Sequence, residues 1–163
     1  MNLSFPILYV TTLLTGFLGG IGFLNFMGFN PALQKTPVED LVRYWQHLDG
    51  KMSVRMPVFG TILLIFLIAA AVSLFKQSYK LPFVLIVLSL VIVLVDFYIA
   101  TQFNFPFNKT MQSITPDTIP ENLNDLRNRS VVGFNLRSVC MIGTFVLNLT
   151  ALFIQTFKGL PRQ

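Results

Sequence analysis

The chain has 163 residues, of which 53% are hydrophobic and only 12% charged, with a formal charge of +5. A soluble domain carries about twice that share of charge, so this is the composition of a membrane protein of one domain. The basic residues are scattered through the connections without a Lys/Arg run or a basic helix face. That excludes a nucleic-acid binder and leaves membrane lipid as the expected neighbour.

Four apolar runs, residues 3–29, 57–75, 81–103 and 131–157, are each near or above the ~20 residues that cross a bilayer. The expected fold is all-α, with four transmembrane helices in an antiparallel bundle and an extra interfacial helix between spans one and two. The first run opens MNLSFPILYV, without a basic leader or a small-x-small cleavage site, and is expected to be retained as a span. Within it, Gly16 and Gly20 form a small-xxx-small pair, and Gly19 and Gly22 widen the thin face. Such a stripe serves close helix packing or makes room for a ligand beside Phe17 and Phe23.

Pro31 is expected to end the first helix. A second start follows, with Thr36 as cap, Pro37 at the first position and acids in the first turn, predicting a helix over residues 37–49. Val38, Leu41, Val42, Trp45 and Leu48 recur at three and four, an apolar stripe that would lie on the bilayer or roof the bundle. Tyr44 and Trp45 suit the interface. His47, the one histidine, is either a general base or amphipathic surface, and one histidine cannot build a bis-histidine haem or metal site.

Spans two and three are separated by KQSYK, so they are antiparallel neighbours. The third connection, residues 104–130, contains Pro106, Pro116 and Pro120 and is an ordered cap or a mobile lid. Lys76, Lys80, Lys158 and Arg162 flank the short connection and the C-terminal tail without acids, whereas seven Lys/Arg in the long connections are diluted by six acids. Weighting short flanking segments, both termini are expected in the cytoplasm. Cys140, alone and inside the fourth run, is expected to be packing.

Two ionisable groups fall inside spans. Asp96 lies about 12 Å inside the outer end of span three, and Arg137 about 9 Å inside that of span four, so the two are expected to pair. The pair either locks two helices in register or forms a site in which Arg137 stabilises an oxyanion and Asp96 orients it. Asn104 and Asn108 follow Asp96 by eight and twelve positions, near one helix face, with Pro106 expected to kink or stop the helix between them. Asn104 then caps freed backbone groups, or both asparagines line the mouth of an outward-opening cavity.

The segment NFPFNKTMQSITPDTIPENLNDLRNR resembles the Asn-x-Pro-x-Asn signature and following Pro-Glu-Asn-x-x-x-Leu-Arg segment of the anthrone-oxygenase-like family of small four-helix membrane proteins. The resemblance extends to Phe17, Gly20 and Pro31, to YWQHLDGKMSVRMP before span two, and to Arg137. It implies a four-helix bundle and cofactor-independent oxidation of an anthrone-like phenolic substrate, whose carbanion reduces dioxygen after a base removes a proton. On that reading Asn104, Asn108 and Arg137 hold the substrate anion, and no metal or cofactor is needed. Ser130 and Phe134 stand where the family has tryptophan and histidine, so the base falls to His47 or Asp96. The candidate catalytic residues are therefore His47, Asp96 and Arg137. Candidate substrate contacts are Asn104, Asn108, Trp45, Phe17 and Phe134. The alternatives are a non-catalytic binder of lipid, quinone or another hydrophobic small molecule, and an accessory subunit or homo-oligomer docking its phenylalanine-rich faces on other membrane helices.

Overall fold

The computed structural model describes residues 3–115 and 119–158, the last by its backbone. Pro116 and Arg162, and the side chain of Lys158, lie outside the described residues. The chain is all-helical, without a strand among the described residues: α1 (Ser4–Leu24), a π-turn (Asn25–Phe29), α2 (Asn30–Lys35), α3 (Val38–Lys76), α4 (Lys80–Ile99), a second π-turn (Ala100–Asn104), α5 (Phe105–Ser113) and α6 (Leu123–Lys158). Both π-turns continue the helix before them into the helix after them. Four rods result, each long and apolar enough to cross a membrane. The protein is a multi-pass membrane protein.

α1 and α4 each pack against both α3 and α6, so the rods form a square in which every neighbour runs antiparallel. Two apolar cores stack along the axis. One joins Leu8, Leu63, Leu67, Leu74, Ile86 and Ala151 in the membrane-spanning half. The other gathers Leu33, Leu41, Trp45, Phe107, Met111, Leu123 and Val131 in a head above it. Outward residues of the spanning half, such as Ile65, Val91 and Phe153, are exposed apolar surface suited to lipid.

Three local expectations are corrected. The helix predicted over residues 37–49 is not a separate interfacial element: α3 runs unbroken for 39 residues through Pro57. Gly50 costs about 1 kcal/mol of helix propensity and Pro57 about 3, and the helix continues through both because tertiary contacts hold it on either side. Its apolar stripe faces the head core instead of a lipid surface. Pro37 is the residue before the helix, and Thr36 does not cap it, because its hydroxyl donates 2.9 Å back to the carbonyl of Ala32 and closes α2. Residues 104–130, expected to form a cap loop or lid, instead supply α5 and the first turns of α6.

Pro31 and Pro106 also fail to stop their helices. Each lies at the start of a helix directly after a π-turn. Proline collides with the carbonyl four residues back and cannot donate to it, and a turn that bonds five residues back relieves that collision. A π-turn consumes about one residue more than an α-turn, so one of each takes about eight residues and returns the chain to the face it left. Gly22 and Asn30, eight apart on the first rod, both meet α6, and so do Asp96 and Asn104, eight apart on the third.

The glycines of α1 bring it close to α6. A Cβ on Gly19 would lie 2.9 Å from that of Phe145, and one on Gly22 would lie 2.8 Å from that of Met141 and 2.9 Å from the carbonyl of Ser138. Gly20 meets nothing within 4 Å, so the contact runs through Gly16, Gly19 and Gly22 and leaves the expected Gly16/Gly20 pair half unused.

Candidate functional site

Asp96 ends the last α-turn but one before the second π-turn, and Arg137 rises opposite it on α6. Arg137 Nε donates to Asp96 Oδ1 at 2.9 Å and Nη2 to Oδ2 at 3.4 Å, while Nη1 reaches Asn104 Oδ1 at 3.4 Å. Their side chains are 14% and 20% exposed for Asp96 and Arg137 respectively. A charge pair at this depth persists because both carboxylate oxygens and three guanidinium N–H groups find partners.

Asn104 is buried, and its amide nitrogen donates to the carbonyl and hydroxyl of Ser130 at 3.3 and 3.1 Å. Gly133 permits that approach, because a Cβ there would overlap the Cβ of Phe103 on the same π-turn. Arg129 covers Phe103 from above, its guanidinium carbon 5.6 Å from the ring centre, a cation–π contact. Directly after the first π-turn, Asn30 of α2 is likewise buried, and its amide donates 2.8 Å to Asn135 of α6.

One turn above, Asn108 of α5 accepts from Trp45 Nε1 at 3.2 Å and donates to Asp49 Oδ1 at 2.8 Å. Gln112 donates to the other Asp49 oxygen at 3.1 Å, and Gln46 donates to the carbonyls of Met111 and Ile114, closing the end of α5. Trp45 is buried among Phe107, Phe134 and Phe29, with ring centres 5.0, 5.5 and 6.1 Å away. Face, edge and indole N–H are thus all satisfied. Ser130 holds Asn104, and Phe134 closes the cage around Trp45.

The candidate residues therefore fall in four places. Asp96, Arg137 and Asn104 form one cluster, and Asn108, Trp45 and Phe134 form a second directly above it. The single outward cavity expected from the sequence is instead these two adjoining, internally bonded clusters. His47 is exposed on α3, its Nδ1 2.8 Å from the carbonyl of Arg43, so Nδ1 carries the proton and Nε2 is the free nitrogen. Phe17 is 68% exposed and lines an apolar groove of about 460 Å3 between α1 and α6, with Tyr9, Gly16 and Phe145. Among the described residues no three of His, Cys, Asp and Glu gather where an ion would be held.

Sequence reasoning missed Gln46, which falls on the polar side of the predicted 37–49 helix, Asp49 at that helix's end, and Gln112 in the third connection. In the spanning half Asn148 stood out with Thr144 as a polar exception, but its partners were missed: Asn148 donates to Ser89 Oγ at 2.9 Å and Thr12 reaches the carbonyl of Asn148 at 3.4 Å. The run Ser4, Thr11, Thr12, Thr15 at helical spacing was the available signal, since small hydroxyl residues mark helix contacts in membranes.

No protein-family model, curated protein or solved structure matches the chain.

Proposed function

We propose that the protein binds a hydrophobic small molecule carrying a phenolic, enolic or quinone-type oxygen at the Asp96–Arg137–Asn104 cluster, reached sideways between α4 and α6. The observation that carries this reading is the state of Arg137. Asp96 and Asn104 engage three of its five N–H groups, yet a fifth of its side chain is still exposed at bilayer depth. An oxygen acceptor arriving from the apolar surroundings would meet preorganised donors in a low-dielectric place, where such bonds are worth most.

A sharper form of the same reading is a cofactor-independent oxygenase acting on an anthrone-like substrate, supported by the family resemblance and by the carboxylate beside the guanidinium. Asp96 would take the acidic proton, Arg137, steadied by Asn104, would hold the resulting oxyanion, and the carbanion would bond dioxygen and regain the proton from Asp96 as a hydroperoxide, which loses water to leave the quinone carbonyl. His47 is a poor candidate for the base, because it is an exposed residue of the head bonded along its own helix. The exposed phenylalanine-rich outer faces suit lipid or another membrane helix, of a second copy or of a partner protein.

We further propose that both termini and the turn at residues 77–79 face the cytoplasm, on the strength of Lys76 and Lys80 with no neighbouring acid. Mass spectrometry of small molecules retained by the purified chain tests the binding reading. A retained aromatic or quinone species that Arg137→Gln releases supports it; an equal load on both forms overturns it. Turnover of an anthrone in air and none under nitrogen supports the oxygenase form, and no turnover of an anthrone that binds overturns that form alone.

A further inference from the structure

A second groove, of about 620 Å3, runs between α1 and α3 at the end of the bundle away from Arg137. Its walls are Ile7, Ile65, Ile68, Ala69 and Val72, and its mouth is polar, formed by Ser73, Lys76 and Gln77. From Ile65 to Lys76 is eleven residues, about 16 Å along α3, which matches half of the ~30 Å hydrocarbon layer. The groove is as long as one leaflet is deep.

Charge at the mouth is one-sided. Lys76 and Lys80 are the only charged residues from Pro57 to Val95, and no acid occurs before Glu39 on the other wall's side of the chain. Gln77 is pre-oriented, since its Oε1 accepts from Ser4 Oγ at 2.7 Å and its amide nitrogen is left as a donor.

We infer that this groove is a site for an anionic phospholipid, with one acyl chain along Ile65–Val72 and the headgroup phosphate on Lys76, Gln77 and Ser73. The apolar walls would accept the chain of any lipid, and the uncompensated ammonium at headgroup level selects the anionic one. The site is independent of the Arg137 cluster, which lies in the opposite half of the bundle.

Native mass spectrometry of the full chain, titrated in detergent with phosphatidylglycerol or phosphatidylcholine of identical acyl chains, tests this. Phosphatidylglycerol adducts are expected in excess. Lys76→Gln should lower them by about fivefold, the weight of one interfacial lysine, while Lys51→Gln in the head leaves them unchanged. Ala69→Phe, which fills the groove, should reduce both lipids. Equal retention of the two lipids by the unmodified chain overturns the inference, as does a Lys51→Gln loss equal to that of Lys76→Gln. Should Ala69→Phe not fold, the surface lysine pair still decides the matter.

Discussion

Arg137 of α6 meets Asp96 of α4 edge-on, two guanidinium nitrogens facing two carboxylate oxygens at 2.9 and 3.4 Å. Removing one partner leaves the other charged at bilayer depth, and that is what costs energy. Asp96→Leu is expected to destabilise the protein by about 3 kcal/mol, and the double change with Arg137→Met by much less. Thermal unfolding in detergent reads both. Additive losses in the double variant would mean that the two side chains are not coupled.

Trp45 is the one tryptophan, so intrinsic fluorescence reports on the head alone. Its burial among three phenylalanines predicts blue-shifted emission that resists an aqueous quencher. Trp45→Phe keeps the ring stack but removes the indole donor from Asn108, for an expected loss of about 1 kcal/mol. Asn108→Leu should cost more, because it leaves both Trp45 Nε1 and Asp49 without that partner. Red-shifted, readily quenched emission from the unmodified protein would contradict this picture of the head.

Two glycine substitutions should differ in sign. Gly133→Ala pushes a methyl into Phe103 and should destabilise by about 1–3 kcal/mol, as overpacking does. Gly20→Ala meets open space and gains helix propensity, so its melting temperature should hold or rise. The two melting curves, compared with the parent, check the contrast; a shared direction would refute it.

Orientation can be read by labelling. With Cys140 replaced by alanine, a cysteine at Ser113 in the head should react with a membrane-impermeant maleimide on intact cells. A cysteine at Ser78 in the α3–α4 turn should react only after permeabilisation. The reverse pattern would invert the proposed topology.

Much of this architecture was legible because hydrophobic runs and charge depth are linear quantities. Counting residues inward from two span ends placed Asp96 opposite Arg137, and periodicity alone identified the Leu41/Trp45 stripe that packs into the head. The continuity of the rods was not legible. The rule that proline ends a helix assumes an α-type ladder, which the π-turns before Pro31 and Pro106 escape, while Pro57 is carried inside α3 by the contacts on either side. What secures those turns is distant in sequence: Asn30 bonds to Asn135 and Asn104 to Ser130. Ser130 was read only as a departure from a pattern, and Phe134 as that and a substrate contact, since their partners, Asn104 and Trp45, come from other helices. Gln46 fell on the polar side of its predicted helix for the same reason.

Four of the polar contacts that cross the bundle end on α6 at irregular spacing: Ser130, Asn135, Arg137 and Asn148 meet Asn104, Asn30, Asp96 and Ser89. Unequal intervals make α6 behave as a key with teeth of different pitch. Sliding it by one turn would oppose Asn104 to the ring of Phe134 and strand Asp96 beside Met141 or Cys140, so a slip that satisfies one tooth misses the others. An apolar bundle, whose greasy faces match one another in many alignments, thereby gains a single seating.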